Sequence, residues 1–598
     1  MGRLASAIPV WYYQAWRVGS STPVRRPLVR PSIKENSMEL LENLPQEILS
    51  WQLKGSGLEN LGIKGRPDNV PFPKYTEDNL IARIDAVGLC FSDIKLLTAG
   101  SSHPRIEGRD LAKNPTVPGH EVAMTIVGVG DAWKGKFRLG SRFIIQADIF
   151  YKGKGVAFGY AIPGGLSQYV VIGREILEGD EGCYLLPVRD ETGYAEAALV
   201  EPWTCVVASY QIARRTRPRT NAVFSFVGFP KGQIPLKLDG LASEKISVIS
   251  HHGLTPENAA AVVALAQHTG AQLVEPGSAD RPASTDVVCA GLPDRDTFQK
   301  LTNEIDVDGA IGVHTSDPDV ELPVDVGRVH YRRMELTGST DGDVAASYSS
   351  NPRERLRQGG KAWFVGGAGP MGQMHVIKAI MDEEGPDTIL VTDLSDERLA
   401  SLKHLISLLS GSRQRKVSLT FENPKDLPAD ELDTFLNEKF GGAFDDVVVL
   451  VPVSAIISQA SHYLAAGGVL NIFAGVKVGT VTDLPLAAIV RDRVRVTGSS
   501  GSPLAAMKAT LALTESGRLS TSYSLAAIGD MNSASRGLKA LMDNTYTGKV
   551  VIFPFAHGIG LKSLKELARD LPDVGSSLLD GQYWTRAAEA AFLKSRYF

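Results

Sequence analysis

Cysteine is scarce in this sequence. The four residues Cys90, Cys183, Cys205 and Cys289 are scattered over 598 positions with no short pairing, which excludes a disulfide framework and a four-cysteine zinc knuckle and fits a reducing cytoplasm. Also missing is any apolar run near the roughly 18 residues that would span a bilayer. Charge of one sign is not in excess either: the formal net charge is −4 at pH 7, so nothing marks a nucleic-acid or anionic membrane partner. Small molecules and further copies of the chain, as in a homo-oligomer, are the partners left to expect.

The first 37 residues set Arg3, Arg17, Arg25, Arg26, Arg30 and Lys34 against one acid, Glu35. With serines and prolines between them, they resemble a transit segment. The reading preferred for them is a disordered extension, or text upstream of a true start at Met38. The opening Met-Gly-Arg-Leu-Ala-Ser also fits a myristoylation pattern, though over a very short match.

From about 38 to 205, short runs rich in glycine and β-branched residues (81–87, 122–129, 167–172) predict a small, mostly β domain. From about 218 to 504 the rhythm becomes strand, helix, strand. Apolar runs of buried-strand length, such as 388–391 and 447–451, predict parallel sheets with helices on both faces. This middle region repeats itself. Val227 to Gln233 echoes Gly367 to Gln373, Asp286-Val-Val echoes Asp446-Val-Val, and Leu336-Thr-Gly-Ser echoes Val496-Thr-Gly-Ser, in one order. The expected division is a tail over 1–37, a β domain over 38–205, two α/β copies over 206–356 and 357–504, and a closing segment over 505–598. The second copy is longer through an insertion around Ser410 to Asp430.

The second copy carries a dinucleotide fingerprint. After the expected strand 361–365 come Gly367, Gly369 and Gly372 in G-x-G-x-x-G, then a helix over 371–381. Gly367 permits the tight turn, Gly369 lets backbone approach a pyrophosphate, and Gly372 lets helix and strand pack closely. Pro370 and Met371 open the helix whose free N–H groups face the phosphates. Asp393, 21 residues after the last glycine, suits the ribose hydroxyls and repels a 2′-phosphate; this favours NAD over NADP, a preference that Arg398 one turn later softens. The first copy has Val227 and Phe229 at the first two glycine positions, Pro235 in the expected helix, and His251 and His252 in place of the acid. It is not expected to bind a dinucleotide in this manner.

In the β domain stand Gly88-Leu-Cys-Phe-Ser-Asp93, Gly119-His-Glu121 and Glu201-Pro202. A thiolate, an imidazole and a carboxylate make an open zinc site with one position left for water or substrate. These elements, with Gly548 to Pro554 as a returning strand, resemble the zinc-dependent medium-chain dehydrogenase/reductase superfamily, in particular its sorbitol, threonine and sorbose-phosphate reductase branch. The resemblance covers about 50–205 and 357–590. It implies an α/β fold with a GroES-like β-rich catalytic domain plus two doubly wound Rossmann-type domains in tandem. It also implies Cys90 and His120 as zinc ligands, Glu121 or Glu201 as the third, Ser92 as proton relay and Asp93 as the group orienting His120. Glu121 stands among the catalytic as well as the metal residues. No cysteine lies between Ile145 and Gly165, where many relatives hold a structural zinc, so one metal per chain is expected.

The activity implied is hydride transfer between NAD(H) and a secondary alcohol or ketone of a polyol or sugar, phosphorylated or not. A zinc-free quinone or enoyl reductase is the first rival, and a non-catalytic binding protein the second. Relatives dimerise by pairing the edge strands of their nucleotide domains, and the degenerate copy is expected to occupy that edge within one chain.

Overall fold

The computed structural model describes residues 44–106, 108–211, 215–278, 281–348, 353–410, 415–427 and 431–597; the expectations for 1–37 lie outside them. The β-rich part is built on two long antiparallel strands, Leu80–Leu89 and Glu121–Val129. The second is buried at every position and the first at all but one, because both of its faces are covered and alternation is not needed. The full sheet has eight strands. Three come from the far end of the chain: Lys549–Phe553, antiparallel to Leu80–Leu89, Leu525–Asp530 beside it, and Leu561–Ser563 at the edge. Residues 470 positions apart in sequence thereby share one core with Trp51, Met124 and Phe158.

The α/β part is one continuous twelve-stranded sheet. Its first half runs Gln272–Leu273, Ile246–His252, Ala222–Gly228, Asp286–Ala290, Ala310–His314, Glu335–Ser339. Its second half continues Arg495–Thr497, Leu464–Ile472, Phe444–Val449, Lys361–Val365, Thr388–Thr392, Ser418–Glu422. Within each half every pairing is parallel, and each half has the doubly wound strand order 3-2-1-4-5-6. At the junction the pairing turns antiparallel, with Leu336 opposite Val496. A second antiparallel pair, Glu321–Asp325 with Val481–Pro485, sets Pro323 opposite Asp483. Leu336 and Val496 are equivalents in the repeat, 160 positions apart like Asp286 and Asp446, and in the second pair the equivalents Leu322 and Leu484 of Glu321-Leu-Pro and Asp483-Leu-Pro face each other. Equivalent residues that face each other define an internal two-fold axis. Val324, Val329, Leu336, Leu484, Ile489 and Val496 are buried together along it.

The halves have diverged where the sequence loses its fingerprint. Between Gly228 and Ile246 the only helical element is the short turn Asp239–Leu241, and no helix stands between Leu273 and Asp286 among the described residues. The second half keeps the helix Pro370–Met381, a full third strand Ser418–Glu422 and the helix Glu431–Phe440. Within the extra length expected around Ser410 to Asp430 the described residues hold the strand Ser418–Glu422, and the fourth strand runs Phe444–Val449 rather than 447–451.

Candidate active site

Cys90 ends the strand Leu80–Leu89 and immediately precedes the helix Phe91–Ala99. Its backbone N–H donates to Asp93 Oδ2 at 2.9 Å, and the other carboxylate oxygen of Asp93 accepts from the N–H of Gly119 at 3.0 Å. One buried carboxylate therefore ties together the two segments that carry Cys90 and His120. Asp93 Oδ1 lies 3.4 Å from His120 Nδ1, beside the ring, while its hydrogen bonds go to backbone. Gly119 has φ +95°, a conformation in which a side chain is strained, and a Cβ there would meet Val87 at 2.9 Å.

Glu121 begins the strand Glu121–Val129 and lies directly across from Gly88. A Cβ on Gly88 would stand 2.1 Å from Glu121 Oε2, so this glycine makes the space that the carboxylate fills. Cys90, His120 and Glu121 each offer a ligand atom within 4.8 Å of the others. Two buried atoms here, His120 Nδ1 and Glu121 Oε2, have no hydrogen-bond partner, an expensive state unless something charged joins them. The donor set and the orphaned oxygen fit a divalent zinc ion.

Lys549, from the returning strand, donates to Glu121 Oε1 at 2.5 Å and to the carbonyl of Leu89 at 2.8 Å. Sequence reading missed this role: 428 residues separate the partners, and only the sheet register joins them. Burial works against charge on Lys549, but Glu121 and Cys90 outweigh it and raise its pKa. His120 behaves likewise: burial lowers it, yet Tyr160 and Asp93 lift it well above its ordinary value. Tyr160, also missed, has its ring centroid 5.8 Å from that of His120, and burial pushes its phenol up to about 12. Arg105 lies over the same ring at 5.1 Å and pairs with Asp148 at 2.6 Å.

Glu201 sits in the first turn of the helix Val200–Ala208, half-buried and outside the tight group of three. Burial raises its carboxyl, with Glu121 and Asp148 adding to the rise and His120 and Lys549 opposing it. Cys205, one turn further on, has a thiol that burial raises, reinforced by Glu201. Ser92 is half-buried on the first turn after Cys90.

The second α/β unit carries the glycine loop. Gly366 and Gly367 donate N–H groups to the carbonyl of Thr392 at 2.8 and 3.0 Å. Gly372 touches the loop so closely that a Cβ would lie 2.6 Å from Gly366 O, whereas a Cβ on Gly369 meets nothing nearer than 3.5 Å. Gly369 precedes the helix Pro370–Met381, in which Pro370 and Met371 are half-buried. Asp393 follows the strand Thr388–Thr392; its carboxylate accepts from the N–H groups of Ala368 at 3.2 Å and Ser395 at 3.1 Å. The acid thus steadies the loop itself. Arg398 is half-buried in the helix Asp396–Ser410.

Residues 76–178 match the alcohol dehydrogenase GroES-like domain. That stretch therefore carries the domain that alcohol dehydrogenases use, and the zinc-type motifs and glycine loop around it are similar to those of the medium-chain dehydrogenase/reductase superfamily. It is 33% identical over 147 residues to an L-sorbose 1-phosphate reductase of Klebsiella pneumoniae, a match covering 24% of this chain and 35% of that protein. A mannitol-1-phosphate 5-dehydrogenase of Aliivibrio fischeri is 21% identical over 87% of this chain and 93% of its own length. A sorbitol dehydrogenase of Bombyx mori is 29% identical over 25% of this chain and 43% of its own. No helix among the described residues is long and apolar enough to cross a membrane.

Proposed function

We propose that this protein is a zinc-dependent oxidoreductase that moves a hydride between NAD(H) and the secondary alcohol or ketone of a polyol or sugar, with a phosphorylated substrate preferred. The observation that carries this reading is the group Cys90, His120 and Glu121, drawn within 4.8 Å in a chain that also holds an intact glycine loop. Similarity to a mannitol-1-phosphate 5-dehydrogenase across both α/β units, and to an L-sorbose 1-phosphate reductase, supports the substrate class.

Cys90, His120 and Glu121 would hold the zinc, with Glu201 as the further donor nearby. The metal supplies Lewis-acid stabilisation of an alkoxide, or polarisation of a carbonyl in reverse. Ser92 relays the proton that the substrate hydroxyl gives up, its oxygen accepting that proton as its own O–H proton passes on toward solvent. Asp93 fixes the backbones of Cys90 and Gly119, the latter next to His120, so that the donor geometry exists before substrate arrives. Lys549 pins one oxygen of Glu121 and leaves the other free. Gly369 and the N–H groups at the start of the helix Pro370–Met381 receive the pyrophosphate. Asp393 favours an unphosphorylated ribose, hence NAD, and the Arg398 guanidinium weakens that preference.

Metal analysis of the purified chain, combined with an NAD-versus-NADP activity screen over polyols, keto-sugars and their phosphates, tests the reading. About one zinc per chain with substrate-dependent NADH formation supports it. A metal-free protein that reduces quinones would sink it.

A further inference from the structure

The first α/β unit, although it lacks a glycine loop, reaches the site. Its helix Val326–Arg332 lies across the junction at the C-terminal ends of the second unit's strands, where open α/β sheets bind their ligands. Asp325 caps this helix, accepting from the N–H of Arg328 at 3.1 Å, and its other oxygen accepts from Gly479 at 2.9 Å. A Cβ on Gly327 would stand 2.3 Å from Lys477 O. His330 Nδ1 donates to the carbonyl of Ile472 at 3.2 Å.

Tyr331 comes next, 38% exposed although it is large and aromatic. Its phenol oxygen accepts from Lys95 Nζ at 3.1 Å, with the ammonium 5.7 Å from the ring centre. Lys95 lies five residues after Cys90 on the helix Phe91–Ala99. Gly475, in the loop after the strand Leu464–Ile472, completes the meeting: a Cβ there would stand 3.0 Å from Tyr331 Oη and 3.4 Å from Lys95 Nζ. The β domain, the nucleotide sheet and the degenerate unit thus converge on one hydrogen bond. The two-fold equivalent of Tyr331, at the same 160-residue offset, is Arg491, which pairs with Asp319 at 2.8 Å instead. Among the described residues no second β domain lies there for it to serve.

We propose that Tyr331 is a positioning residue through which the degenerate unit acts as an in-chain partner. It holds the helix Phe91–Ala99 against the loop 473–478 and so fixes the cleft between metal donors and cofactor. The proposal builds on the function proposed above, but its first test does not need activity. Hydrogen exchange of the full-length chain is compared for wild type, Tyr331→Phe and the mirror control Arg491→Ala. In Tyr331→Phe, amides of 91–99 and 473–478 exchange about three- to tenfold faster, with the rest of the chain and the control unchanged. Exchange in Tyr331→Phe equal to wild type overturns the proposal, whether or not any dehydrogenase activity has been found. Where activity is present, Tyr331→Phe raises KM for cofactor and alcohol about three- to tenfold and changes kcat by less than about twofold. An equal fall in kcat and kcat/KM would instead place Tyr331 in the chemistry and also count against a positioning role.

Discussion

At the scale of single residues, the site depends on a buried pair that sequence motifs do not mark. Glu121 is fully buried and Lys549 nearly so, at 0% and 7% side-chain exposure, so each needs the other. Removing one partner of such a pair strands a charge and costs about 3–5 kcal/mol, whereas replacing both by neutral groups restores much of it. Lys549→Met is therefore expected to lower the unfolding free energy of the metal-free protein by about 3 kcal/mol. The double variant Lys549→Met with Glu121→Gln should recover at least about half of that loss. Urea denaturation of the apo chains measures both, and additive losses would show that the two residues do not act as a pair. Asp93 teaches a similar lesson: besides lying 3.4 Å from Nδ1 of the His120 ring it was expected to orient, it accepts hydrogen bonds from the backbones of Cys90 and Gly119, which no motif marks.

At the scale of elements, the glycine loop separates a cofactor role from a packing role. Gly372 and Gly369 look alike in the motif, yet the protein's own backbone crowds the first and leaves the second open. Gly369→Ala should leave thermal stability within about 2 °C of wild type while weakening NADH binding about tenfold or more, because its Cβ enters the space meant for the pyrophosphate. Gly372→Ala should lower the melting temperature itself, since a Cβ 2.6 Å from Gly366 O forces strand and helix apart. Thermal melts and NADH fluorescence titrations decide; equal stability losses in both variants would remove the distinction. The sequence made this element readable because all its parts lie within 33 consecutive residues, from Lys361 to Asp393. The zinc motif was readable for the same reason around Cys90 and His120. Lys549, Tyr160, Arg105 and Tyr331 were not, because strand register and the junction bring them together, and no local periodicity records either. The decay of the first copy was legible at Phe229 and Pro235, and its missing crossover helix follows from them. The greater length of the second copy around Ser410 to Asp430 was legible in the sequence, but not that it holds a full strand, Ser418–Glu422, where the first copy has only Gln272–Leu273.

For the whole molecule, the eight-stranded sheet carries the candidate metal donors and one twelve-stranded sheet with an internal two-fold carries the glycine loop, and buried histidines run along the length of the latter. His314 lies in the first half, His330 at the junction and His375 on the glycine-loop helix. Burial, the largest cause in each case, depresses them to about 4, about 4 and about 3. All three sit in neutral hydrogen bonds: His314 Nδ1 with Ser339 Oγ at 2.9 Å, His330 with the Ile472 carbonyl, and His375 Nδ1 with the Tyr210 hydroxyl at 2.5 Å. In the unfolded chain a histidine takes up its proton near pH 6.5, whereas in the folded chain these three stay neutral until pH falls to about 4 or lower. Protons therefore bind the unfolded state more strongly between those limits. The stability these residues contribute is present above pH 6.5 and lost as pH falls toward 4, by up to about 1.4 kcal/mol per pH unit for each group. His314→Asn keeps a polar partner for Ser339 and removes one titrating group. The difference in unfolding free energy between pH 7 and pH 5 should then shrink by about 1–2 kcal/mol relative to wild type. Urea midpoints at the two pH values measure it. A pH dependence identical to wild type would mean that His314 is protonated in the folded sheet, and that acid sensitivity arises elsewhere.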